Sequence, residues 1–135
     1  WCKVNARNTE GCTSAYFAAF QGSNDVLQIL IDFQANINLP SFKNITPLHR
    51  AVSANRLETV QMLLENGARI NDSDDNGRTA LHLSVSLNNV ELVKLLLEHR
   101  PALSLDANSN NALQIAQAKK LTELVEILTE YSASL

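Results

Sequence analysis

The sequence has few aromatic residues, few glycines and no excess of basic residues, and each shortage excludes a class of protein. Aromatic residues make up 5% of the 135 positions, so the core must be built from aliphatic side chains. The four glycines do not have the spacing of a phosphate-binding loop. The net charge is −3 with acidic and basic residues interspersed, whereas a duplex nucleic-acid binder needs a clustered basic face. We therefore expect no nucleic-acid partner.

Cysteines and long apolar runs are also scarce. Cys2 and Cys12 cannot make a disulfide framework, and they do not have metal-ligand spacing with histidine. Free thiols are typical of a reducing compartment. No apolar run is long enough to span a bilayer, and no signal peptide is visible. We expect a cytoplasmic protein, with the nucleus as the alternative, and no direct membrane contact from this segment.

The chain repeats itself with a period of thirty-three residues. "TPLHRAV" at residues 46–52 returns as "TALHLSV" at residues 79–85, and a fourth copy follows at a shift of thirty-two. Such a period predicts a stack of similar units. Three columns of aliphatic residues recur and are predicted to be buried: Leu27, Val60 and Val93; Ile29, Met62 and Leu95; Leu30, Leu63 and Leu96.

One unit predicts two helices and a loop. Thr46 is a good N-cap, and Pro47 suits the first helical position because its missing N–H costs nothing there. Asn55 tolerates the left-handed conformation that ends a helix. A second helix starts near Leu57 and ends at Gly67, and "ARINDSDDNGR" then predicts a turn-rich, hairpin-like loop.

The segments "ITPLHRAVSANRLETVQMLLENGARIN" and "GRTALHLSVSLNNVELVKLLLEHRPALS" closely resemble the ankyrin repeat. The resemblance implies an all-α solenoid of stacked helix-turn-helix units with protruding hairpin-like loops. It covers residues 4 to about 131 of one domain, and residues 1–7 resemble the tail of a preceding unit, which suggests a fragment of a longer protein. The four predicted units are residues 8–40, 41–73, 74–105 and 106–135.

The candidate chemical groups favour a structural role over catalysis. His49 and His82 recur once per unit beside a threonine and do not converge, so we expect each to bridge its threonine and the neighbouring loop. The acids at residues 72–75 lack the spacing of a calcium loop and are interpreted as a solvated turn. We expect no enzyme activity, no cofactor and no metal.

The resemblance implies a concave surface of loops and first helices that binds a protein or peptide partner. Phe20, Phe42 and Leu87 are large apolar residues at positions that are usually polar or small, and exposed apolar groups mark partner sites. Packing within the domain is the alternative for all three. The candidate partner-binding residues are Phe20, Gln21, Phe42, Lys43, Arg50, Ser53, Ala54, Asp75, Asn76, Arg78, Ser86 and Leu87.

Two hypotheses for function follow. The first is a non-enzymatic protein–protein interaction module whose rigid surface loses little entropy on binding. The alternative is a regulatory ankyrin region of a larger enzyme or receptor, which docks its own catalytic domain or a small ligand. The resemblance also implies hydroxylation of two loop asparagines as a possible modification, at Asn38 and Asn71.

Overall fold

A computed structural model describes residues 6–99, 101 and 111–134 of the chain. Within these ranges the structure has eight α-helices and no β-strand, which confirms the predicted all-α repeat fold. Residues 1–5 of the predicted tail at residues 1–7, and the loop at residues 102–110, lie outside the described residues. The helices are α1 (Ser14–Gln21), α2 (Asn24–Asp32), α3 (Pro47–Ser53), α4 (Leu57–Glu65), α5 (Ala80–Ser86), α6 (Val90–Glu98), α7 (Ala112–Ala118) and α8 (Thr122–Ala133).

Each first helix starts at a side-chain cap. The Thr46 hydroxyl accepts a hydrogen bond from the backbone N–H of His49 at 3.2 Å, which satisfies a donor that the helix itself leaves open. The last first helix uses different residues for the same purpose. There the Asn111 side chain accepts from the N–H of Gln114 at 2.9 Å, and the Gln114 side chain accepts from the N–H of Asn111 at 2.8 Å.

The turn inside each helix pair needs one residue with positive φ. Gly22, Asn55, Asn88 and Lys120 occupy this position with φ between 55° and 71°. Glycine and asparagine tolerate the left-handed region, whereas lysine adopts it at a cost of about 1–2 kcal/mol. The predicted tight turn is therefore present in every unit, including the fourth, where the residue type is unfavourable.

The helix pairs stack in two layers. The first helices α1, α3, α5 and α7 contact one another in order, and the second helices α2, α4, α6 and α8 do the same on the other side. Small side chains at the same position of each first helix are buried and allow the close approach. These residues are Ala18, Ala51, Ser84 and Ala116.

The predicted buried columns lie between the two helix layers, with one exception. Leu27, Val60 and Val93 are completely buried, and so is Leu63 in the second unit. Ile29 was predicted to be buried and is 54% exposed. The period aligns Ile29 correctly with its equivalents, but the equivalents are covered by a preceding helix layer, and no such layer lies against Ile29 among the described residues.

Candidate partner-binding surface

The loops that precede α1, α3 and α5 form a continuous row. Each described loop is closed by a backbone hydrogen bond of 2.9–3.0 Å, between residues 8 and 12, 41 and 45, and 74 and 78. Neighbouring loops are also joined, because the N–H of Phe42 donates to the carbonyl of Glu10 and the N–H of Asp75 donates to the carbonyl of Lys43. The row is therefore a hydrogen-bonded edge along one side of the first helices.

Phe42 lies at the tip of the second loop and is 65% exposed. The guanidinium of Arg7 stands 5.0 Å from its ring centroid, a cation–π arrangement. The ring also lies close to Gly11, where an added Cβ would be 2.6 Å from Cδ1 of Phe42. Packing against the first loop thus fixes the ring while much of its surface stays in solvent.

A second group of aromatic rings lies on the first helices. The Arg50 guanidinium is 4.2 Å from the ring centroid of Phe20 and 5.5 Å from that of Tyr16. The rings of Tyr16 and Phe17 meet edge to face, with centroids 5.4 Å apart. Arg50 is half-buried, and its buried Nε has no hydrogen-bond partner among the described residues. We call Tyr16, Phe20 and Arg50 the aromatic–arginine cluster, and Phe17 adjoins it only through Tyr16.

The remaining first-helix candidates lie near the turns. Leu87 is 48% exposed and lines an open depression of about 490 Å³ together with Asn55 and Asn89. The other residues of these rows are exposed or half-buried at the ends of α1, α3 and α5, and they are Gln21, Ser53, Ala54 and Ser86.

The predicted residues therefore form two edges and not one cluster. Phe42, Lys43, Asp75, Asn76 and Arg78 are all exposed in the loops, where the first helices begin. Phe20 and Leu87 lie at the opposite ends of helices that have seven or eight residues, about 10–12 Å away at 1.5 Å per residue. The first helices form the surface between the two edges.

One residue on this surface of the first helices, Tyr16, was not predicted from the sequence. Tyr16 occupies the position of His49 and His82 in the first unit and was not among the predicted residues, yet it joins the aromatic–arginine cluster and borders a cleft of about 280 Å³ between the first two loops. Burial raises the pKa of the Tyr16 phenol, and the charge of Arg50 opposes that shift. The replacement of the repeated histidine by tyrosine was the feature of the sequence that could have identified this residue, because Tyr16 does not make the structural contacts of His49.

His49 is a structural residue, as expected. Its Nδ1 accepts from the N–H of Thr46 at 3.1 Å, so Nε2 carries the proton and donates to the carbonyl of Arg78 at 2.9 Å. The ring is 2% exposed, and burial lowers its pKa from the ordinary value of 6.5, although the bond to the Arg78 carbonyl opposes the shift. The imidazole is therefore neutral at physiological pH and joins the second unit to the loop of the third.

We expect the stabilisation by His49 to depend on pH. Because the pKa is lower in the folded state than in the unfolded chain, the stabilisation is fully present above about pH 6.5, the unfolded value, and is lost as the pH falls below it through the lower folded-state pKa. His49→Gln, which imitates Gln114 of the fourth unit, should keep the cap but lose the bond to Arg78 and cost about 1–3 kcal/mol above that pH.

Urea unfolding of the wild-type chain and the variant, at several pH values between about 8 and 5.5, measures this effect. The difference in the free energy of unfolding should shrink towards the acidic end. A difference that stays constant across the range would contradict a neutral, buried imidazole.

The loop acids show the geometry of a turn. One carboxylate oxygen of Asp74 accepts from the N–H groups of Asn76 and Arg78 at 2.9 and 3.0 Å, and Asp75 accepts from the Asn44 side chain at 2.8 Å. In the described part of the chain, no group of three or more histidine, cysteine, aspartate or glutamate residues could hold a metal ion. Nor is any helix there long and apolar enough to cross a membrane.

Asn38 joins two units through its side chain. Its Nδ2 donates to the carbonyl of Gly67 at 3.2 Å, and its Oδ1 accepts from the N–H of Arg69 at 2.8 Å. Asn71 is exposed in the next unit. Hydroxylation of either residue stays a prediction.

Helix pairs with capped first helices recur every 32 or 33 residues, and the comparison with protein families agrees with them. A family model for ankyrin repeats in many copies matches residues 15–63 and 48–97. The chain belongs to the ankyrin repeat family. A search of curated proteins gave no significant match. Ankyrin repeats are generally protein–protein interaction modules, and the family is typically non-enzymatic. The partner-binding residues named above remain predictions for this ankyrin chain.

Proposed function

We propose that this ankyrin chain is a protein-interaction module that binds an extended segment rich in apolar and acidic side chains. The segment would lie on the first helices, between the loop row and the turns. The observation that carries the proposal is the aromatic–arginine cluster. In it the guanidinium of Arg50 stacks on the exposed ring of Phe20, and the first helices carry no other charged residue.

The distribution of charge supports an acidic partner. The second helices carry two acidic residues in each of α2, α4 and α6 and three in α8, with Lys94 as their one basic residue. The first helices α1, α3, α5 and α7 carry no acidic residue, and Arg50 is their one charged group. An acidic segment is therefore repelled by the second helices and attracted to the first.

The form of Arg50 also suits a carboxylate. Stacking on Phe20 holds the guanidinium in place without using its hydrogen-bonding edge, and a held guanidinium can bind a carboxylate through two parallel hydrogen bonds. The exposed rings of Phe20 and Phe42 and the side chain of Leu87 offer apolar contacts on both sides of that point. Such aromatic and arginine side chains are enriched among residues that dominate binding.

Selection from a library of short random peptides on the immobilised chain tests the proposal. Enriched peptides should place Asp or Glu beside large apolar residues, and their affinity should fall as salt is added because charge pairing is screened. Arg50→Gln should weaken an enriched peptide by about tenfold or more, and Phe20→Ala by a similar factor. Fluorescence anisotropy gives the dissociation constants.

Lys94→Gln is the matched control, because it removes the one basic charge of the second helices and leaves the first helices unchanged. It should leave affinity unaltered, and thermal melts should show that all three variants are folded. Peptides without acidic enrichment, or an Arg50→Gln variant that binds as well as wild type, would overturn the proposal.

A further inference from the structure

The first helix pair exposes three large apolar side chains at positions whose equivalents in later units contact the preceding unit. We call Phe17, Val26 and Ile29 the α1–α2 outer face. Their exposed fractions are 44%, 49% and 54%. Phe17 lies on α1, whereas Val26 and Ile29 are one turn apart on α2 and share one side of that helix.

The equivalent positions of later units face the preceding unit. Thr59, equivalent to Val26, is 1% exposed, and its hydroxyl donates to the Asn24 side chain of α2. Arg50, equivalent to Phe17, lies over the rings of Tyr16 and Phe20 on α1. The α1–α2 outer face is thus the surface through which every later unit contacts the one before it.

Burial at these positions depends on a covering layer. The residues equivalent to Val26 in the third and fourth units, Leu92 and Leu124, are completely buried. The residues equivalent to Ile29 are partly buried and pack against the core. Val26 and Ile29 have the same apolar character as these residues but lack that cover in the described structure.

The residue types also match those of the third and fourth units, whereas the second unit carries Arg50 and Thr59 at two of these positions. The contact surface of the third unit is Leu83, Leu92 and Leu95, and that of the fourth is Ile115, Leu124 and Ile127. Phe, Val and Ile in the first unit continue this pattern, whereas an outermost unit of a stack carries polar residues on the face that meets water.

The opposite end of the stack shows that contrast. Asn24 of α2 contacts the next unit, and the equivalent residues of the second and third units are Leu57 and Val90. In α8 the equivalent residue is Thr122, which is exposed. This position is polar both inside the stack, at Asn24, and at the α8 end, at Thr122, whereas the α1–α2 outer face is apolar.

We propose that the α1–α2 outer face is covered by the helix pair of a further ankyrin unit that precedes residue 1 in the same polypeptide. The second helix of that unit would pack on Val26 and Ile29, and its first helix on Phe17, in continuation of the interface that joins the later units. The inference rests on the apolar character and exposure of Phe17, Val26 and Ile29. A second copy of the chain is the competing occupant.

Hydrogen exchange measured by mass spectrometry tests the proposal on the natural full-length polypeptide beside a chain of residues 1–135. In the full-length polypeptide, the amides of α2 should exchange as slowly as those of α4. In residues 1–135 they should exchange about tenfold faster or more, because α2 then opens without disrupting a neighbour. The double variant V26E/I29E should bring fast exchange back to α2 in the full-length polypeptide.

Gln28→Glu is the control, since it adds a charge to an exposed position of the same helix. It should leave the protection of α2 in place. Equal exchange of α2 in the two chains, or a full-length polypeptide with no helix pair before residue 1, would overturn the proposal. So would protection of α2 that rises with protein concentration and is lost with V26E/I29E, because that result identifies a second copy as the occupant.

Discussion

Leu63→Ala should lower the free energy of unfolding by about 2–5 kcal/mol, the largest loss we expect from a single truncation in this chain. Leu63 is completely buried on α4, in the second unit, with a helix pair on each side. Removal of its branched end leaves a cavity that neither neighbour can fill, because both are held by their own stacking. Urea unfolding followed by circular dichroism measures the loss.

Leu30→Ala is the matched control. Leu30 occupies the same position one unit earlier but is only partly buried, since no helix pair covers it from the outer side in the described structure. The same truncation should therefore cost clearly less, about half as much, because apolar burial scales with the area removed from water. Equal losses at the two positions would show that the layers do not cover Leu63 as the structure has it.

The period in the sequence predicted the local structure well because the residues that set it act locally. A threonine cap needs only the backbone N–H three residues later, and the left-handed turn needs only its own residue, as at Asn55. Lys120 is an unfavourable residue type for this turn, yet it also has positive φ, because the packed helices α7 and α8 on its two sides determine its backbone conformation. These features could be read from one unit and transferred to the next.

What the sequence could not predict depends on contacts between units. Alignment placed Arg50 in one column with Phe17, but its partner in space is the ring of Phe20, from a different column of the preceding unit. The exposure of Ile29 was likewise hidden, because a column records residue type and not whether a neighbouring layer is present. The repeat period predicts the structure that all units share, whereas the contact between Arg50 and Phe20 and the exposure of Ile29 depend on differences between units.

The sequence could not predict the spatial layout of the candidate surface for the same reason. Phe20, Phe42 and Leu87 were grouped because each is unusually large and apolar for its column. The structure places Phe42 on the loop edge and the other two near the turns. A partner that contacts all three must therefore cross the first helices, which favours an extended segment over a single inserted side chain.

The loop edge itself should depend on Gly11. Gly11→Ala should lower the free energy of unfolding by about 2–4 kcal/mol, the sum of two costs. Gly11 has φ of 82°, a region that alanine adopts only with strain. The new methyl group would also lie 2.6 Å from Cδ1 and 2.8 Å from the backbone nitrogen of Phe42, so the second loop would have to move.

Gly67→Ala separates the two costs. Gly67 has φ of 92°, but a Cβ there would meet nothing within 4 Å, so alanine brings backbone strain without a clash. It should cost about 1–2 kcal/mol, clearly less than Gly11→Ala, and leave peptide binding unchanged. Gly11→Ala should also weaken peptide binding, because Phe42 loses its support on the first loop. Thermal melts and anisotropy on both variants measure these effects, and equal losses would mean that the contact between Gly11 and Phe42 does not hold the loop row together.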